Sequence, residues 1–148
     1  MSTLLRRVLA MLGVGAGSFS RVEGAGAGGR GEEAAAVFLR RLGYTILDRN
    51  VRAPMGEADI VARQGGVDDG VIVLVEVKTR IVDPERPRPK AESQVGAFKK
   101  RKLVAIMRHL VRANGWERRR KRIDVVAVEY GKGGGEPVVR HFVNAVHA

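Results

Sequence analysis

Residues 73–80 read VLVEVKTR, and the reading of this stretch decides the fold. Its apolar content asks for a buried strand, yet it carries Glu76 and Lys78. Residues two apart on a strand share a face, so an acid and a base stand together where apolar side chains are expected. Upstream, EADIVARQ (57–64) is a second strand-like run, and the tip GGVDDG (65–70) between the two runs signals a hairpin. If the hairpin is centred on that tip, Val61 faces Leu74, while Ile60–Val75 and Ala62–Val73 form the other face. The same register sets Asp59 opposite Glu76 and Glu57 opposite Lys78.

Directly opposed side chains have Cβ atoms about 5 Å apart. Two carboxylates at that distance repel and raise one pKa unless a cation lies between them. A divalent ion is the economical cation. With no Cys in the chain and its three His scattered, oxygen ligands favour Mg²⁺ or Mn²⁺ over Zn²⁺. Lys78 then stands beside the ion, placed to hold a phosphate oxygen or a water.

Outward from the hairpin, GEEAAAVFLRRLGY (31–44) spaces Ala35, Phe38, Leu39 and Leu42 as the apolar stripe of a helix, with Gly43 placed to end it. Glu32 falls on that stripe and Glu33 points away. YTILDRNV (44–51) reads as a strand and VRAPMG (51–56) as the connection out of it. QVGAFKKRKLVAIMRHLVRANG (94–115) is an amphipathic helix with Leu103, Ile106, Leu110 and Ala113 inward and Asn114-Gly115 as its stop. RIDVVAVEY (122–130) and PVVRHFVNAV (137–146) are strands joined by a Gly-rich turn. The order α-β-β-β-α-β-β predicts an α/β domain, a mixed sheet flanked by helices.

Each acid also has an ordinary explanation. Glu32 is explained equally well as a first-turn acid on a helix dipole, and Glu76–Lys78 or Glu57–Lys78 as plain ion pairs. Taken together, that explanation asks three acids and one lysine to converge by accident on an apolar framework.

Net charge is +11, and residues 99–122 hold eleven Lys and Arg against Glu117 alone, a local +10. Charge so segregated points to a polyanion, with nucleic acid the leading candidate, beside the ordinary reading of a solvated, solubilising face. An RNA-associated basic protein is the reading that rests on charge alone. The absence of Cys excludes disulfides and thiolate metal sites and suits a reducing, cytoplasmic setting. Residues 1–30 differ in kind. Arg6 and Arg7 precede a short apolar run broken by Gly13, Gly15 and Gly17, too short to span a bilayer. Gly24, Gly26 and Gly29 satisfy G-x-G-x-x-G without the preceding strand that motif needs. The expected organisation is a flexible extension over 1–30 and one domain over 31–148, with no membrane association.

Asp59 … Glu76-Val77-Lys78 resembles the PD-(D/E)xK signature of restriction-endonuclease-like nucleases, with Ala58-Asp59 at the "PD" position. The wider set GEEAAAVFLRRLGYTILDRN, GEADIVAR, VLVEVKTR, KKRKL and RIDVVAV resembles, in order and spacing, the uncharacterised bacterial YraN-like family, similar to archaeal Holliday junction resolvases. The likeness covers roughly residues 30–146. It implies a restriction-endonuclease-like fold and a metal-dependent nuclease acting on branched or structured DNA, of DNA repair or recombination type. Carried over by position, Asp59 and Glu76 are metal ligands and Lys78 the catalytic lysine. Glu32 matches the N-terminal helix glutamate of resolvase-type members and is expected to ligate a second metal or position a water. The Val77 carbonyl completes the metal set. Glu57 lies in the family's GEAD motif with no assigned chemistry.

A homodimer is expected by analogy with resolvases, which cut two strands symmetrically. Arg80, immediately past the site, is placed equally well to contact phosphate or simply to face solvent, and Lys99 and Lys102 are placed to line the substrate groove. The run Arg118, Arg119, Arg120, Lys121 and Arg122 is placed to grip phosphates farther out. Arg122 and Asp124 are expected as a strand-edge ion pair, and Trp116 as a packed rather than stacking aromatic. The alternative on the same fold is a module that binds nucleic acid or protein without cutting.

Overall fold

A computed structural model of the chain describes residues 27–86 and 96–147. The charged apolar run at 1–26, Gly24 and Gly26 of the glycine motif, and the proline-rich segment 87–95 lie outside the described residues. The elements are helix α1 (Ala27–Arg41), strands β1 (Tyr44–Ala53), β2 (Gly56–Gln64) and β3 (Val71–Val82), helix α2 (Ala97–Asn114), and strands β4 (Lys121–Gly131) and β5 (Val138–Val146). The predicted element order is the observed one. Helix α1 begins at Ala27, four residues inside the stretch assigned to the extension.

The five strands lie in chain order. β1–β2, β2–β3 and β4–β5 are antiparallel, and β3–β4 are parallel. The parallel pair requires a crossover, which α2 supplies. Strict alternation along β3 divides the interior in two. Ile72 and Leu74 join Val61, Ile123 and Val125 under the α2 residues Leu103, Ile106, Met107, Leu110 and Val111. Val73 and Val75 join Ile60, Ala62, Val126 and Val128 under the α1 residues Ala35, Ala36 and Leu39. The result is a restriction-endonuclease-like α/β sandwich, a mixed sheet between two helices. The β2–β3 register is the one centred on the tip, with Ile60↔Val75, Val61↔Leu74 and Ala62↔Val73.

Both helix stripes shift at their C-terminal ends. Leu42 lies past the last turn of α1 and is exposed, because the chain turns away through Gly43 at φ 84°. Ala113 is exposed on α2, while Met107 and Val111 are buried. Gly115 closes that helix in the left-handed region at φ 68°, its N–H donating to the Val111 carbonyl. Trp116 packs against the α2-side core.

Gly31 fixes the seat of α1 on the sheet. A Cβ at this position would lie 1.7 Å from Thr79 Oγ1 of β3, so only glycine permits the approach. That contact sets Glu32, the next residue, at the level of the charged segment of β3.

Candidate active site

The β2–β3 ladder stops at Ile60↔Val75, one step before Asp59 and Glu76. β2 changes course there. Ala58 and Ile60 are two residues apart, yet Ala58 is buried in the α2-side core and Ile60 in the α1-side core. A regular strand would put both on one face. Across on β1, Asn50 lies between the pairs Arg49↔Ile60 and Val51↔Ala58 and adopts φ 51°. The irregularity at Asn50 and Asp59 opens β2 away from β3.

The Asp59 carboxylate enters the opening, and its Oδ2 accepts a 2.7 Å hydrogen bond from the Val77 N–H. A side chain thus takes a donor that a continuing ladder would give to backbone. A residue's N–H and C=O leave an extended strand on the same edge, so the Val77 carbonyl faces the opening as well.

Glu76 is 4% exposed. Its Oε1 accepts from Lys78 Nζ at 3.1 Å and from Lys99 Nζ at 3.2 Å. Its Oε2 is buried with no hydrogen-bond partner among the described residues. Burying a carboxylate oxygen without a partner costs several kcal/mol. The neighbouring Asp59 carboxyl is pushed up to about 6, first by burial and then by the Glu76 charge, with a smaller push from Glu32. The Val77 hydrogen bond and the Lys99 charge oppose that rise. Asp59 and Glu76 are therefore near enough to repel, which is the condition a cation would relieve.

Glu32 reaches this field without closing a cage. Among the described residues, no three of Asp, Glu and His stand together closely enough to hold a metal ion. The first-turn explanation for Glu32 fails, because α1 starts five residues earlier and carries no acid in its first turn. Glu33 points away and pairs with Arg49 at the surface. Glu57 does not meet Lys78. The opening at Asp59 breaks that register, and Glu57 lies across from Arg52 of β1, 3.8 Å between charges.

Lys99, expected only to line a groove, belongs to the centre itself. It sits in the first turn of α2, a helix joined to β3 through a proline-rich segment, so the sequence offered no distance between them. Lys102 lies one turn on, against Gly56 and 5.8 Å from the Phe98 ring centre. Arg80 is half-buried two residues past Lys78 on the same strand. The 118–122 run is largely engaged in the fold. Arg119 donates to the carbonyls of Gly70 and Val67, Arg120 to Asp69, and Lys121 to Glu117 and Arg119. Arg118 is exposed.

A second buried acid lies one strand over. Asp124 is 0% exposed and accepts from Arg122 Nε at 2.9 Å, from the Asn144 N–H at 2.8 Å and pairs with His141 Nε2 at 2.8 Å. Arg122 also donates to Tyr44 and Gln64. Burial raises the Asp124 pKa, and the bonds from His141, Arg122 and Asn144 outweigh it and hold it below the usual carboxylate range. The expected ion pair is present but interior. Asn144, at φ 54°, marks the bulge where β5 shifts register against β4, and Asp124 pins that bulge.

Fold and acid centre together define the class, a restriction-endonuclease-like α/β domain with a partly buried Asp–Glu–Lys cluster, Glu76 at its buried centre, at a broken strand pair. Residues 31–128 match the uncharacterised protein family UPF0102. A UPF0102 protein of Syntrophotalea carbinolica is 40% identical over 116 residues, 78% of this chain and 86% of the relative. One from Symbiobacterium thermophilum is 41% identical over 121 residues, 82% of this chain and 96% of the relative. A third, from Pelobacter propionicus, is 38% identical over 128 residues, 86% and 87%. The chain belongs to UPF0102, the YraN-like family that its motifs resemble.

Proposed function

We propose that this protein is a Mg²⁺- or Mn²⁺-dependent nuclease that hydrolyses phosphodiester bonds in branched or structured DNA. One observation carries the reading: a nearly inaccessible carboxylate, Glu76, has one oxygen on two ammonium groups and the other unpartnered, beside an Asp59 carboxyl that its charge helps to push up to about 6. An all-oxygen donor set of this kind suits a hard divalent ion. Asp59, Glu76 and the Val77 carbonyl would hold the ion, with Glu32 reaching it through water. Such an ion supplies Lewis-acid polarisation of the scissile phosphate and acidification of a bound water.

The chain's own groups do the rest. Lys78 donates to the attacking water or to the phosphate oxygens as charge builds on them, and its contact with Glu76 holds the ammonium in place. Lys99 brings a second ammonium to the same carboxylate from above the sheet, where a phosphate entering between α2 and β3 meets it. Arg80 and Lys102 extend the cationic lining to the neighbouring phosphates. No histidine is required as a base, since His141 is committed to Asp124.

The test is incubation of the purified protein with Mn²⁺ and a panel of duplex, flapped, forked and four-way DNA. The reading expects cleavage of at least one structure and its loss in Asp59→Ala and Glu76→Ala. Cleavage undiminished in both variants, or none of any substrate, refutes it. The two ammonium groups already on Glu76 Oε1 favour a second reading, a non-cutting nucleic-acid-binding module. That reading expects metal-independent DNA binding that survives Glu76→Gln.

A further inference from the structure

A cavity of about 510 Å³ lies on the α2 side of the sheet, between the C-terminal half of α2 and the ends of β4 and β5. The acid centre lies at the other end of the helix, where Lys99 meets Glu76. Its volume falls within the range of small-ligand sites. Its floor is aliphatic, from Met107, Val111, Ile123 and Val146. Its rim is cationic, from Arg108, Arg112 and Lys121, with Glu117 as the single acid. Arg108 and Arg112 are exposed and make no ion pair among the described residues, and Lys121 donates only to the carbonyls of Glu117 and Arg119. Apolar walls under uncompensated positive charge fit a ligand with a flat, weakly polar body and an anionic handle.

The helix connects this cavity to the acid centre. Arg101, Arg108 and Arg112 stand at i, i+7 and i+11, one stripe of α2. Lys99 stands about 200° around the helix from Arg101, so the stripe runs along the face of α2 away from the acid centre and ends on the cavity rim. From Lys99 to Arg112 the helix rises roughly 20 Å at 1.5 Å per residue, about six nucleotide steps at 3.4 Å per strand step.

We infer that the cavity receives an unpaired nucleotide, its base against the aliphatic floor and its phosphate on Arg108, Arg112 and Lys121, about six nucleotides from the bond held at Glu76. A base inside a duplex is stacked and paired and cannot enter a pocket, so the site selects DNA with an unpaired strand at that distance. This rests on the nuclease reading and names its substrate class, a junction between paired and unpaired DNA.

The test compares binding of a fluorescent 30-nucleotide duplex with that of the same duplex carrying a single-stranded flap, in EDTA so that cleavage plays no part. Val104 is half-buried and lines the cavity, and Val104→Trp fills it without changing charge. Arg112→Ala, at an exposed position, removes one rim charge and leaves the core untouched. The expected result is a preference of the native protein for the flapped DNA, reduced about tenfold by Val104→Trp, the scale of one apolar group returned to water, and severalfold by Arg112→Ala. Affinity for the paired duplex should stay within twofold in both. Equal losses on both DNAs, or no loss on the flapped one, overturn the inference. Mn²⁺-dependent cleavage by the same preparations separates the two failures. If native protein cuts DNA while the variants keep its preference, only the cavity assignment falls. If native protein neither binds nor cuts DNA, the nuclease reading falls with it.

Discussion

Two buried carboxylates on neighbouring parallel strands meet opposite fates. Asp124 on β4 has each oxygen matched by donors from Arg122, His141 and Asn144, and its pKa is held down. Glu76 on β3 has one oxygen crowded by two lysines and the other stranded, and its neighbour Asp59 is pushed up. The same polypeptide that satisfied one buried acid left one oxygen of the other without a donor among the described residues. A satisfied buried acid ties strands together, whereas an under-satisfied one is characteristic of a site awaiting a ligand.

The sharpest way to break the contrast is to neutralise each acid in turn. Glu76→Gln should lower Mn²⁺-dependent cleavage on the order of 10³-fold or more, since it removes a ligand of the proposed metal, while leaving the unfolding midpoint of metal-free protein unchanged or raised. Asp124→Ala should do the reverse. It leaves Arg122 and His141 facing a buried void and should cost about 3–5 kcal/mol in denaturant unfolding, with cleavage by the folded fraction retained. If Glu76→Gln destabilises as much as Asp124→Ala, the two centres are alike and the contrast is false.

A smaller effect is expected from pH. The Asp59 carboxyl titrates at about 6 in the folded chain against 3.8 as its ordinary value. Between those values the folded state holds a proton that the unfolded state has lost, so stability falls as pH rises through the window. The loss should be on the order of 2–3 kcal/mol in EDTA at about 1.4 kcal/mol per pKa unit. Asp59→Asn should flatten this slope. Asp124, held down, contributes the opposite sign, its stabilisation lost as pH falls through its lowered pKa.

Gly31→Ala forces a Cβ onto Thr79 and should cost about 1–3 kcal/mol, and it should reduce cleavage by shifting Glu32. Thr79→Gly in the same chain should restore part of both losses. The smallest effect belongs to the other glutamate of the pair. Glu33→Gln removes a surface ion pair with Arg49 and should change stability by less than about 1 kcal/mol, without touching cleavage.

Much of this was legible in the sequence because the hairpin is short and symmetric. A tip of six residues between two alternating runs fixes a register, and Val61↔Leu74 followed from it. The break at Asp59 was not legible, because it depends on Asn50 of another strand adopting φ 51°. With the break went the pairing of Glu57 with Lys78. The place of Lys99 was hidden for another reason: a helix periodicity says which face is apolar and nothing about which strand its first turn overlies. The Arg122–Asp124 pair was visible as two residues of one strand. Its closure by His141 was not, since the partner comes from the next strand, beside a bulge.

The account turns on whether Asp59 and Glu76 share a cation, and isothermal titration of Mn²⁺ into native and Glu76→Gln protein at a pH about 1.5 units above the Asp59 pKa asks this directly. The expected result is saturable uptake by the native chain that is lost in the variant, with uptake weakening as pH drops through about 6. No uptake by the native chain, or equal uptake by both, contradicts it.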